Sequence, residues 1–364
     1  MRVGDSSIDS RALLVSLLTP PGRGALAVVG LAGCDAAATV DRAFAARGGR
    51  PVAAREDGAI AFGSWRATGE EVVVVRRHAD LVEVHCHGGV AAAAAVIASL
   101  VAGGAEEVTW PRWLAAIGES ETIVEAYEVL ARVGGPKAAR IIARQAAGAV
   151  DAEMERIRRL RAGGGHEAAD AAVARLLRAA RVGLRLTRPW RVVVAGPVNA
   201  GKSSLVNSLA GHARCIVSAE PGTTRDLVET RLVLDGWEMD LVDTAGLRHE
   251  DEATGPVERA GIARAASAAA AADLVLRVWP ADVGPPAAAR PDEILVVSKT
   301  DVTTAVRRWP AEAVPTSAVT GSGIAELATT LVARLVPEER DEPDLLTGAV
   351  PFTAKQVESL ARLA

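Results

Sequence analysis

Cysteine is scarce in this sequence. Cys34, Cys86 and Cys215 lie far apart in 364 residues, with no Cys-x-x-Cys pair. That excludes a disulfide framework and a zinc knuckle and fits a reducing compartment. Long hydrophobic runs are missing as well. The mean hydropathy is +0.19, but the excess is mostly alanine, and every stretch of about 18 residues contains charges or turn formers. The longest alanine-rich stretch, Ala265 to Ala272, is too short to span a bilayer. Asp5 and the break at Pro20-Pro21-Gly22 argue against a signal peptide. No membrane partner is expected, and the expected location is cytoplasmic. A strong charge of either sign is also absent. Lys and Arg number 41 and Asp and Glu 45, a net charge of −4. This excludes a general polyanion-binding surface and leaves room only for a local basic patch.

Apolar residues make up 49% and charged residues 24%, the balance of a globular protein. The length suits two or three domains. Residues 1–118 read as an α+β domain. Short apolar runs (Ala12 to Leu18, Ala25 to Val29, Glu71 to Val75, Leu81 to Cys86) predict strands. Val90 to Val101 predicts a helix between Gly88-Gly89 and Gly103-Gly104. Over 119–188 strand signals vanish and apolar residues recur at helical spacing (Ile157, Leu160, Val173, Leu176, Leu177), which predicts a small helical domain. Over 189–336 strands and helices alternate, the pattern of an α/β sheet with helices on both faces. Residues 337–364 read as a linker, acidic and Pro-bounded from Pro337 to Pro343, and a closing helix.

The strongest motif is Gly196-Pro197-Val198-Asn199-Ala200-Gly201-Lys202-Ser203, a GxxxxGK[ST] loop between a β-branched strand and a helix. Successive backbone N–H groups in such a loop, with the helix N-terminus behind them, cradle phosphate. Lys202 reaches the β- and γ-phosphates and the Ser203 hydroxyl ligates Mg²⁺. Ser204 follows in the first helical turn. Asp243-Thr244-Ala245-Gly246 ends a strand: Asp243 suits Mg²⁺ through water, and Gly246 brings its N–H close to the γ-phosphate. Gly222-Thr223-Thr224 lies between them, where a threonine hydroxyl completes the Mg²⁺ shell as a switch. Ser298-Lys299-Thr300-Asp301 follows another strand. The Asp301 carboxylate can accept from both N1–H and N2–H₂ of guanine, and the Lys299 stem can lie along the base. A backbone N–H of Thr316-Ser317-Ala318 can meet guanine O6. Adenine offers no such donor pair, so the set points to GTP over ATP. Ser298 stands where an asparagine is usual. Leu247 stands where many GTPases place a water-orienting glutamine.

With GPVNAGKSS, PGTTRD, DTAGLR, SKTD and TSAVTGSGI in order and at near-family spacing, the chain resembles the MnmE (TrmE) family of tRNA-modification GTPases over residues of about 12–104 and 140–336. Thr19-Pro20-Pro21-Gly22-Arg23-Gly24 and His87-Gly88-Gly89 resemble that family's folate-binding domain. The resemblance implies a Ras-like GTPase domain behind a folate-binding-type α+β domain and a reduced helical domain. It implies K⁺ at Asn199, under a loop matching Ser218 to Thr223 that includes Glu220. It implies Mg²⁺ at Ser203 and Thr224, and water orientation by Glu258. The implied partners are GTP and GDP, a second copy in a homodimer, tRNA and an MnmG-like protein, with a tetrahydrofolate derivative as a further cofactor. The implied role is tRNA wobble-uridine modification. The family's C-terminal Cys-x-Gly-Lys-type motif has no match here, since the last cysteine is Cys215 and the chain ends Ser359-Leu360-Ala361-Arg362-Leu363-Ala364. Val108-Thr109-Trp110-Pro111-Arg112-Trp113 stands where the family has its PGEFT and NGK segment. The alternative is a GTP-switched regulatory protein without the tRNA chemistry. A generic P-loop ATPase is the third reading.

Three weaker signals take their ordinary readings. His85-Cys86-His87 puts two imidazoles on one strand face but no third ligand cluster beside them. The run Arg156, Arg158, Arg159 and Arg161 reads as a solvated helix face. Trp110 and Trp113 read as packing residues.

Overall fold

Runs of valine and leucine near the N-terminus pair into one antiparallel sheet. In a computed structural model the described residues are 12–213, 228–243, 272–283, 286–302 and 309–363. The chain divides into two units, Met1–Glu128 and Val129–Ala364. Unit 1 runs β1 (Leu14–Leu17), β2 (Leu26–Ala32), α1 (Ala36–Ala43), β3 (Phe44–Ala46), β4 (Ile60–Trp65), β5 (Glu71–His78), β6 (Leu81–His87), α2 (Val90–Ala102), β7 (Glu106–Glu107) and α3 (Trp110–Ala116). Helix α4 (Glu121–Leu130) crosses into unit 2.

The sheet order is β3-β4-β5-β6-β2-β1-β7. All pairs are antiparallel except β1 with β7. Side chains alternate along β6: Val82, Val84 and Cys86 enter a core with Val96 and Leu100 of α2, while Glu83, His85 and His87 take the other face. On that second face α3 covers β1 and β2. A Cβ on Gly30 would meet the Trp113 ring at 2.5 and 2.9 Å, so only glycine lets the indole lie against the strand. Trp113 is accordingly a core residue.

Unit 2 begins with α5 (Pro136–Ala146), α6 (Ala149–Ala162) and α7 (His166–Gly183). A second sheet follows: β8 (Trp190–Ala195), α8 (Lys202–His212), β9 (Val228–Leu234), β10 (Trp237–Asp243), β11 (Leu274–Pro280), β12 (Glu293–Ser298), β13 (Val314–Pro315) and α9 (Ile324–Leu335). The order is β13-β12-β11-β8-β10-β9, parallel except for β9. Parallel strands covered on both faces read as nearly continuous apolar runs, and all six residues of β12 are buried. Asp235 and Gly236 turn β9 into β10 with φ of 46° and 82°, the left-handed pair that a two-residue hairpin needs.

Most of the segment Pro337–Pro343, expected as a linker, is helical, and the residues after it are held in place. Helix α10 (Pro337–Asp341) is followed by a strap, turning over 343–348, that lies on α5 and α7. Arg144 donates to Leu346 O at 2.7 Å and Arg175 to Asp344 O at 2.8 Å. Fully buried Gln145 donates to Gly348 O and accepts from Val350 N–H, both at 3.2 Å. The segment's acids have partners on α7: Glu342 pairs with Arg178 and Glu338 with Arg181. Helix α11 (Ala354–Ala361), opened by a Thr353–Gln356 capping box, then places Leu360 in a core with Val150, Ile157, Val173 and Leu176.

Candidate nucleotide site

The site lies at the carboxyl ends of β8 and β10, where the strand order reverses: β9 and β10 lie on one side of β8 and β11 to β13 on the other. That is where open α/β sheets bind ligands. Loop 196–201 carries the chain from β8 into α8, whose N-cap is Gly201 with φ of 84°. Gly196 has φ of 153°, and a Cβ there would collide with Val278 O of β11. The first loop glycine is therefore required by the neighbouring strand. Asn199 is also left-handed, φ 60°, and Ala200 is fully buried while Ser204 is exposed. Lys202 is 7% exposed and folds back over the loop, its Nζ donating to Pro197 O at 2.9 Å and Gly196 O at 3.1 Å.

Ser203 and Asp243, 40 residues apart, meet here. The Ser203 hydroxyl donates to Asp243 Oδ2 at 2.6 Å, and Asp243 is buried at the end of β10. A hydroxyl beside a carboxylate is a hard oxygen set of the kind Mg²⁺ takes.

The base-side segments converge on the same loop. Ser298 ends β12, and its buried hydroxyl donates to Ala200 O at 2.7 Å. Lys299 is left-handed, φ 57°, and its Cε lies 3.7 Å from where a Gly201 Cβ would stand, so its stem runs past the phosphate loop. Asp301 is exposed in a 3₁₀ turn over Thr300–Val302. Thr300 ties that turn to β13's outgoing loop: its N–H and hydroxyl both donate to Thr316 O, at 3.2 and 3.0 Å. Ser317 is fully buried, with its N–H donated to Ser322 O. The contribution of Thr300 was not singled out in the sequence, because a threonine inside SKTD gives no local sign that its partner is 16 residues away.

Ser218, Glu220, Gly222, Thr223, Thr224, Gly246, Leu247 and Glu258 lie outside the described residues. The described part of the site is thus the phosphate loop, Asp243 and the base-side turns.

Elsewhere, His85 Nε2 lies 3.2 Å from Glu83 Oε2 and His87 Nδ1 lies 2.8 Å from Glu70 Oε1, so the two histidines go to different carboxylates. Among the described residues no group of three or more His, Cys, Asp or Glu could hold a metal ion. On α6, Arg156 pairs with Glu153, Arg158 with Glu155 and Arg161 with Asp170, which accounts for most of the basic run. Arg156 holds the Glu153 carboxyl below its ordinary range, against the upward push of burial. The Thr19–Gly24 and His87–Gly89 segments meet in unit 1: Gly24 N–H donates to Gly88 O at 3.0 Å and Gly88 N–H to Ala25 O at 3.1 Å. Among the described residues no helix is long and apolar enough to cross a membrane.

Comparison with known proteins places the chain in a family. Residues 191–306 match the family model of the 50S ribosome-binding GTPase. The G domain of the T. maritima FeoB iron transporter is similar to 40% of this chain, at 25% identity and a TM-score of 0.30. A tRNA modification GTPase MnmE of Synechococcus sp. (strain WH7803) is 31% identical, the match covering 88% of this chain and 80% of the relative. The MnmE of Parvibaculum lavamentivorans is 35% identical over 72% of this chain and 67% of the relative. Sustained over two thirds and more of those relatives' length, such identity shows that the chain belongs to the MnmE family of tRNA modification GTPases.

Proposed function

We propose that this chain binds GTP with Mg²⁺ at the loop 196–203, hydrolyses it to GDP and phosphate, and serves tRNA modification, at the wobble uridine. One observation carries the GTP site: the Ser203–Asp243 pair, 2.6 Å apart, joined on the phosphate loop. In this reading the loop amides from Asn199 to Ser204 and the Lys202 ammonium hold the phosphates. Ser203 and Thr224 hold Mg²⁺ and Asp243 holds it through water. Asn199, with Ser218, Glu220 and Thr223, holds K⁺. Bound, the two cations neutralise charge that develops on the phosphates during cleavage. Gly222 shapes the switch loop, the Gly246 N–H meets the γ-phosphate, and Glu258 orients the attacking water. On the base, Asp301 accepts from N1–H and N2–H₂ and Lys299 flanks the ring. Because the Ser317 N–H is donated within its own loop, the Ala318 N–H is the donor for O6.

The family further implies a homodimer with GTPase domains face to face, tRNA, an MnmG-like partner, and a folate-binding-type unit 1 before a reduced helical domain. We place a tetrahydrofolate derivative near the junction of Gly24 and Gly88. The support is that both segments resembling the folate-type domain come together there. Steady-state GTP hydrolysis in KCl and in NaCl at matched ionic strength tests the core of the proposal. A clear K⁺ stimulation is expected, lost in Asn199→Ala with GTP binding retained. Equal slow rates in both salts, with GTP bound, would indicate a nucleotide-controlled binding protein instead.

A further inference from the structure

Ser298 stands at the end of β12, between the phosphate loop and the base-side turn. Its side chain is buried, and its hydroxyl is 2.7 Å from Ala200 O. A carbonyl oxygen carries no proton, so the direction of this bond is fixed: Ser298 donates. A serine hydroxyl has one proton to give. It is committed to the loop.

We propose that Ser298 is a positioning residue for the phosphate loop and gives no hydrogen bond to the nucleotide base, so that the N7 edge of guanine goes unread by this residue. The inference rests on the GTP site proposed above. The Ala200–Gly201 peptide is planar and trans, so its C=O and N–H point in opposite directions. Holding Ala200 O toward Ser298 turns the Gly201 N–H away from β12 and keeps it for the anion cradle. Gly201 is left-handed at the N-cap of α8, and Ala200 is fully buried, so the peptide has little freedom to swing. Guanine presents N1–H, N2–H₂, O6 and N7. The first two are met by the Asp301 carboxylate and O6 by a backbone N–H. N7 is an acceptor and needs a donor. An asparagine amide has two protons, enough for a loop carbonyl and N7 together. Serine does not.

Replacing N7 by a C–H group tests this without any mutation. GTP and 7-deaza-GTP are compared by competition against a fluorescent GDP on the full chain in Mg²⁺ and K⁺. The two are expected to bind within about 1.5-fold, whereas a neutral hydrogen bond to N7 would make 7-deaza-GTP about 2- to 10-fold weaker. Ser298→Ala leaves Ala200 O buried without its partner. It is expected to weaken GTP and 7-deaza-GTP by one common factor of about 5 to 100, with the far-ultraviolet circular dichroism unchanged. Ser298→Asn is expected to introduce a preference for GTP over 7-deaza-GTP of about threefold or more. A wild-type preference for GTP above about threefold overturns the inference, as does a Ser298→Ala effect on GTP that 7-deaza-GTP does not share. Should the chain bind neither nucleotide, the guanine site itself is refuted, a result distinct from both.

Discussion

A hydroxyl and a carboxylate oxygen 2.6 Å apart, as in Ser203 and Asp243, form a charge-assisted hydrogen bond of the short kind. The partners come from α8 and β10, so the bond also fixes the register of the phosphate loop against the sheet. Around it, Asn199 on the loop and Lys299 on the base side both adopt left-handed φ, which asparagine tolerates and which costs lysine on the order of 1 kcal/mol. Strain of this kind collects at ligand sites. Asp243→Asn keeps an acceptor for Ser203 but removes the charge. We expect it to raise the Mg²⁺ concentration needed for half-maximal nucleotide binding by about 10- to 100-fold, the usual effect of removing an outer-sphere ligand. Titrating Mg²⁺ against a fluorescent GTP analogue reads this directly. An unchanged midpoint would remove Asp243 from the cation's surroundings.

At the scale of elements, β12 carries an acid into the sheet. Glu293 is 3% exposed, yet it accepts from Arg277 Nε of β11 at 3.1 Å and from Arg290 Nε at 2.8 Å. Burial pushes its carboxyl up, but the hydrogen bonds and charge of Arg290, with the charge of Arg277, outweigh burial and leave it below its ordinary value. A carboxyl lowered in the folded state stabilises above the unfolded value near about 4.3 and loses that contribution as pH falls through the folded one. Glu293→Gln is therefore expected to cost about 2–4 kcal/mol at neutral pH, since it leaves the largely buried Arg277 facing a neutral group. Its penalty should shrink in urea unfolding below about pH 4. A penalty equal at about pH 7 and about pH 3.5 would show that packing, not charge, is at stake. The same sheet shows what could be read in advance. The strand–loop–helix of β8 and α8 was legible because its signal is local, a fixed motif between a β-branched strand and a helix. Strands β3 and β4 and helix α1 were not. β3 is Phe-Ala-Ala, without a β-branched residue, and Gly63 interrupts β4 as if it were a turn. The structure gives the reason for that glycine: a Cβ there would collide with Ala45 O of β3. Only the neighbouring strand explains it.

Across unit 2 as a whole, the six-stranded sheet is inserted between α7 and the strap that returns to it. At the outgoing junction Arg185 pairs with Asp273 and lies over the Trp190 ring at 5.1 Å, while Asp273 also accepts from Arg191 N–H at 2.8 Å. At the return, Gly183 decides how closely the strap can approach. A Cβ on Gly183 would collide with Pro351 O and lie 3.0 Å from Val350 Cγ1. Pro351 O is backbone and cannot rotate aside. Glycine to alanine within a helix ordinarily stabilises, by up to about 1 kcal/mol. Here overpacking, which costs about 1–3 kcal/mol, acts against it and should win, because relief requires moving a strap that Gln145, Arg144 and Arg175 hold. Gly183→Ala is thus expected to lower the melting temperature. Hydrogen exchange should quicken over 345–361 while the amides of β8, β11 and β12 keep their protection, since the core under Leu360 depends on the strap and the central sheet does not. A raised melting temperature would mean that the strap yields freely, and the C-terminal segment would then be a tether rather than part of the fold.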